Sequence, residues 1–194
     1  MTGPRRAASG FGDSARLQSA CLSCHGQGVQ TLGYVTHHPS PSDTLVIVPC
    51  GKAKIWDRNP DAGPTSARDA YTGYPFRVNA AYAERFGTTW LILSAKYGFI
   101  DPSFLIPGPY DVSFNRRDSE PISIEKLNEQ VRDQGLDCWR TVILLGGRHY
   151  REAVEAALDG TGAVIHSPFA GLPLGRMVRA ARRAIEQGDP NPGC

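Results

Sequence analysis

The stretch Thr44-Leu45-Val46-Ile47-Val48-Pro49, running directly into Cys50-Gly51-Lys52-Ala53-Lys54, decides how this chain folds. Six residues that are almost wholly apolar and rich in β-branched side chains read as a strand buried on both faces. An alternating strand with one wet face would look different. Three further runs have the same character: Thr88–Ser94, Thr141–Gly146 and the shorter Gly162–His166. Between them lie segments with apolar residues at helical spacing. Phe76–Phe86 stops at Gly87, Ile124–Val131 starts after Ser123, His149–Leu158 ends before Gly160, and Leu174–Ile185 stops before Gly188. Strand alternating with helix predicts an α/β fold with right-handed crossovers and a four-stranded, mainly parallel sheet.

The rest of the composition agrees. The chain has 194 residues, 41% hydrophobic and 21% charged, enough for one α/β domain with a real core. A net charge of +2 is too small for wholesale polyanion binding, so a nucleic-acid partner would need a local basic surface. No apolar run reaches the roughly 18–20 residues of a membrane helix, and the first residues lack the apolar core of a secretory signal. The expectation is a cytoplasmic protein with no membrane partner. Residues 43–188 form the domain, preceded by a segment over 1–42 and followed by a short tail over 189–194.

In a parallel sheet, ligands meet the carboxyl ends of the strands, so function is sought in the loops there. After the first strand, Cys50, Gly51, Lys52 and Lys54 make a compact turn with two cations suited to a phosphate, without the spacing of a Walker loop. After the second, Ser94, Lys96, Tyr97, Tyr110 and Asp111 bracket a proline-rich loop. It offers aromatic faces for a base and a carboxylate for a cationic sugar. After the third, Gly147, Arg148 and His149 open a helix whose N–H groups can meet an anion. After the fourth come His166, Ser167 and Phe169, the histidine placed to donate a hydrogen bond. Tyr71 lies in a further segment able to line the same mouth. On the last helix, Arg176, Arg179 and Arg183 share one face and could follow a phosphate backbone. Each pattern also has an ordinary structural explanation as a turn, a packing residue or a solvated charge.

The five cysteines lie at 21, 24, 50, 138 and 194, an odd count that argues against a disulfide framework. Cys21-Leu22-Ser23-Cys24-His25-Gly26-Gln27-Gly28 fits half of a zinc knuckle and resembles the cysteine-rich domain of a chaperone family. Closing a structural zinc site would require His37 and His38, or a second chain.

Taken together, PCGKAK (49–54), DAYTG (69–73), ILSAKYGFIDP (92–102) with PYD (109–111), and LLGGRHY (144–150) resemble a bacterial domain family of unknown function. The LSAKYG…PYD portion is also similar to the peroxide-stress DNA-binding family, and a comparable PC…K element occurs in archaeal tRNA-guanine transglycosylase accessory domains. The order of strand-end motifs, with LLGG before a helix and His166-Ser167-Pro168 after the last strand, resembles the uracil-DNA glycosylase superfamily, with Ser and Pro exchanged. That resemblance implies a three-layer α/β/α fold. It also implies an enzyme hydrolysing a nucleobase N-glycosidic bond in DNA, in repair or against phage-modified bases. Cys50-Gly51-Lys52 stands where that superfamily has an acidic or Asn-containing loop, so the carboxylate has to come from elsewhere. Asp111, His166 and Lys96 are the expected catalytic residues, with Asp69 and Asp101 as further carboxylates. Two other readings remain open: a non-catalytic DNA-binding stress protein and an enzyme on free nucleotides. DNA is favoured over RNA.

Overall fold

The computed structural model describes residues 43–116 and 118–191. The 1–42 segment, with its proposed ligands Cys21, Cys24, His37 and His38, lies outside the described residues. Among the described residues seven strands form: β1 Thr44–Pro49, β2 Thr65–Ser66, β3 Thr89–Ser94, β4 Gly98–Ile100, β5 Leu105–Ile106, β6 Thr141–Leu144 and β7 Val164–His166. The helices are α1 Ala67–Ala70, α2 Tyr74–Phe86, α3 Ile124–Asp133, α4 Arg148–Ala157 and α5 Leu174–Gln187.

The main sheet has five strands in the order β4-β3-β1-β6-β7, and β2 pairs with β5 in a separate antiparallel ribbon. The four runs picked out from hydrophobicity are the parallel strands β1, β3, β6 and β7. The expected four-stranded sheet gains a fifth, antiparallel strand, so the sheet is mixed. Gly98–Ile100 forms it by folding straight back on β3. So short a strand inside a loop rich in glycine and proline carries too little periodicity to stand out in sequence. A second difference concerns the edge. Val164 is 57% exposed, so β7 is not covered on both faces.

Alternation along β1 shows how the layers are built. Val46 and Val48 face a core shared with Phe76, Ala80 and Ala83 of α2 and Val178 and Ala181 of α5. Leu45 and Ile47 face the opposite core, with Leu127 and Val131 of α3 and Val154 of α4. All four β1 side chains are completely buried. Helices therefore cover both faces of the sheet. The chain passes from β1 through α2 to β3 on one side, then through α3 to β6 on the other. The turns after β1 and β6 consequently diverge to opposite faces, and a crevice opens between their carboxyl ends.

Helix α2 begins two residues earlier than its periodicity indicates, with Gly73 as N-cap and a proline in the first turn. Cys50 carries a free thiol. Among the described residues no helix is long and apolar enough to cross a membrane.

The outer edge of β4 is closed by a side chain of α3 and by that of its C-cap, Gln134. Gln130 Oε1 accepts from the Phe99 N–H at 2.8 Å, Gln130 Nε2 donates to the Tyr97 carbonyl at 2.8 Å, and Gln134 Nε2 donates to the Phe99 carbonyl at 3.0 Å. Gly98, at φ +74°, permits the approach, because a Cβ there would lie 2.0 Å from Gln130 Oε1. Gln130→Ala removes two hydrogen bonds and is expected to lower unfolding free energy by about 2 kcal/mol in urea titrations. Glu129→Ala, one position away, should stay within about 0.5 kcal/mol of the parent.

Candidate functional site

Register places the rim. Pro49 of β1 is level with Leu93 of β3, and the Cys50 N–H donates to the Leu93 carbonyl at 3.0 Å. Across the sheet, Ile47 is level with Leu144, and the Leu145 N–H donates to the Ile47 carbonyl at 3.1 Å. Cys50, Ser94 and the Gly146-Gly147 turn therefore meet at one carboxyl edge. Strand β7 stops short of it. His166 is level with Ile143, and Ile143 with Val46, four positions before Cys50 and about 13 Å down the strand. His166 is exposed on the edge strand and is not brought to the rim. Phe169 is not brought there either. It is 4% exposed and sits edge-on to Tyr82 of α2, with ring centroids 5.7 Å apart. The Ser167 hydroxyl is buried without a hydrogen-bond partner among the described residues.

The residues that do converge are Cys50, Lys54, Tyr71, Ser94, Lys96, Tyr97 and Tyr110. The turn carrying Lys54 is stitched to the segment carrying Tyr71 by an antiparallel bridge and by the Thr72 N–H donating to the Ala53 carbonyl at 3.0 Å. Asp57 accepts from the Lys54 backbone N–H at 2.8 Å, which fixes the following single turn of 3-10 helix. Ser94, wholly buried, organises the next strand end. Its Oγ accepts from the N–H groups of Lys96 and Tyr97, both at 3.2 Å, so its proton goes to Tyr110 Oη at 3.0 Å. Tyr71 also hydrogen-bonds Tyr110 through the hydroxyls, at 2.5 Å. Burial, then the neighbouring Cys50, pushes the Tyr71 phenol far above its usual range. Burial likewise raises Tyr110, to about 12, although the bonds from Ser94 and Tyr71 pull it the other way. Both phenols are neutral at physiological pH.

Lys54 is the unusual member. It is 7% exposed, and its Nζ donates to the Lys52 carbonyl at 3.2 Å and lies 4.4 Å from the centroid of the Tyr110 ring. Among the described residues no carboxylate forms an ion pair with it. Burial pushes its ammonium below the usual lysine range, partly offset by Cys50, Asp57 and Asp111. Exposed Lys96 approaches the same ring at 5.3 Å and the Tyr97 ring at 5.2 Å. Asp111 is exposed and ion-paired to Arg116, which also binds Asp118 at 2.7 Å. Lys52 is exposed, and Gly51 packs beneath the turn.

The far lip of the crevice is the start of α4. Gly147 is its N-cap, and Arg148 and His149 both engage Glu152 of the next turn, at 3.7 and 3.3 Å. Sequence reasoning assigned no role to Tyr150, whose hydroxyl lies 3.3 Å from Cys50 Sγ, where either can donate. Tyr150 continues the apolar stripe of α4 through Ala153, Val154 and Ala157, so its pattern reads as core. Gly146 makes its position possible, since a Cβ there would lie 2.6 Å from Tyr150 Cβ.

Among the described residues no group of three or more His, Cys, Asp or Glu is arranged to hold a metal. A cavity of about 710 Å³ opens beside β1, β3 and α3, but it shares only Tyr97 with the polar cluster and is walled by Leu45, Leu91, Phe99, Leu136 and Trp139. Its volume suits a ligand, but its lining is mainly apolar, with Asp43 and Asp101 its carboxylates and no basic side chain among the described residues, so the site is sought at the rim, where cations and phenols meet.

Lys54→Met removes a buried charge that has no ion-pair partner, so it is expected to raise Tm by about 2–4 °C, corresponding to ~1 kcal/mol. Lys52→Met should leave Tm nearly unchanged. Because the folded state lowers the Lys54 pKa from 10.5, the unfolded chain binds more protons in the intervening window. Wild-type stability therefore gains a positive slope with pH below about 10 that the Met variant lacks, as calorimetry across pH would show.

The chain matches the model of a family of unknown function, DUF6884, over residues 45–183, which include every member of the rim cluster. It is 39% identical over 144 residues to the uncharacterized protein YfjM of Bacillus subtilis (strain 168), covering 74% of this chain and 95% of that protein. No solved structure matches it. With the family model spanning well over half its length, and a relative this similar almost wholly covered, the chain belongs to the DUF6884 family.

Proposed function

We propose that the rim site hydrolyses the N-glycosidic bond of a nucleobase-bearing substrate. The observation that carries this reading is the Tyr110 ring, approached by two lysine amino groups, Lys54 at 4.4 Å and Lys96 at 5.3 Å, and followed directly by Asp111. A departing nucleobase is at once aromatic and anionic, and a wall of tyrosine rings with the exposed Lys96 at its edge complements both properties. The sugar left behind develops oxocarbenium character, which the Asp111 carboxylate stabilises. Tyr97 and Tyr110 stack the base, Lys96 takes up its developing charge, and Tyr71 and Ser94 orient Tyr110 by hydrogen bonds. The Gly147 turn at the start of α4 is positioned to receive a phosphate. His166, about 13 Å down the strand, takes no part.

Of the motifs that resemble the uracil-DNA glycosylase superfamily, the Gly146-Gly147 turn before α4 lies at the rim and supports this reading, whereas His166-Ser167-Pro168 lies away from it and does not. The exposed arginines 176, 179 and 183 on α5, which have no ion pair among the described residues, favour a polynucleotide over a free nucleotide. They are also what a purely DNA-binding role would need.

The test is base release from DNA carrying normal, damaged or phage-type modified bases, from RNA and from mononucleotides. The expected result is release from at least one DNA substrate, with Asp111→Asn and Lys96→Gln each slowing it by about 100-fold or more. Salt-dependent DNA binding with no base released from any substrate, indifferent to Asp111→Asn, would instead establish the binding role.

A further inference from the structure

We propose that Lys54 is the covalent nucleophile of this site, its Nζ forming an imine with the anomeric carbon of the sugar. The inference rests on the glycosidic reading above and adds to it the reaction class, an imine-forming glycosylase passing through an enzyme-bound sugar.

The two lysines near Tyr110 live in different surroundings. Lys96 is exposed to solvent. Lys54 is 7% exposed, stands against the aromatic face of Tyr110, and has one hydrogen-bond acceptor, the Lys52 carbonyl, and no carboxylate within ion-pair distance among the described residues. A lysine taken out of water without a counterion is easily deprotonated, and a neutral amine in an apolar setting is an activated nucleophile. Its lowered pKa agrees with that surrounding. Lys54 is also fixed in place, because the bridge to Tyr71 and the Asp57 contact hold its backbone on both sides.

The step balances as follows. The Nζ lone pair bonds to the anomeric carbon while the bond to the base breaks, and that electron pair leaves with the base. The proton released from Nζ passes to the departing base. The sugar ring then opens, its ring oxygen taking a proton from solvent, which leaves a protonated imine. Water adds to the imine carbon, the carbon–nitrogen bond breaks, and the amine and an aldehyde sugar are released. One water is consumed per base freed, and no oxidant or reductant is required.

The experiment incubates the full chain with 2-deoxyribose 5-phosphate and sodium cyanoborohydride, which reduces an imine to a stable amine, and maps the adduct by peptide mass spectrometry. The expected adduct is on Lys54, favoured about tenfold or more over exposed, ion-paired Lys126 near neutral pH, because a buried amine without a counterion is the activated nucleophile. Lys126 is the internal control, because Glu129 holds its ammonium above the ordinary range. Adducts spread evenly over Lys52, Lys96 and Lys126, or absent from Lys54, overturn the proposal. This readout uses the wild-type protein and so stands even where a Lys54 variant fails to fold. In the base-release assay, a folded Lys54→Arg variant as fast as wild type would discard the nucleophile and leave the glycosidic reading intact. A selective Lys54 adduct without base release from any substrate would uphold the reactive amine and discard that reading.

Discussion

The double burial of β1 is the constraint on which the remainder of the molecule depends. Leu45 and Ile47 are committed to one core and Val46 and Val48 to the other, all without solvent contact. A slip of one residue would exchange the two sets and break both cores at once. The strand is therefore locked in register, and its last residue delivers Cys50 to a fixed height beside Ser94. Neighbouring strands inherit that register through the ladders, which is why groups more than forty residues apart reach one rim.

Against this rigid base the site holds an unfavourable arrangement. A lysine buried without an anion destabilises the fold, and a closed set of phenols cannot compensate it with charge, because burial keeps Tyr71, Tyr110 and Tyr150 protonated. What the phenols supply instead is orientation and a polarisable face. Such local conflict between stability and placement is expected where binding or chemistry occurs. The aromatic core around α2 and α5, including Phe169 against Tyr82, shows no such conflict and reads as plain packing.

Much of the architecture was legible because β1, β3 and β6 are short apolar runs and the main helices carry clean periodicity. The antiparallel β4 was not, since three residues of strand inside a turn-rich loop have no pattern to read. At the site, Cys50, Lys54, Ser94, Lys96, Tyr97 and Tyr110 are legible from their place in the loops that follow strands, and Tyr71 from a further segment able to line the same mouth. His166 was placed there on the assumption that all parallel strands end at one height. Register decides that height, and register is a tertiary property: β7 starts level with β1 and β6 but ends after three residues, so its last residue lies beside Ile143 and only level with Val46. Tyr150 escaped for the converse reason. Its helical position is that of a core residue, and its hydroxyl gains significance only once the crevice between β1 and β6 exists.

The glutamines of α3 have a mechanical consequence. Gln130 grips the Tyr97 carbonyl, and the Ile122 N–H just before the helix donates to the Ala95 carbonyl at 2.7 Å. The loop bearing Lys96 and the Tyr97 ring is thus tethered to a helix on the outside of the molecule. A displacement of α3 would therefore carry that ring with it, because helix and loop are joined through two backbone carbonyls.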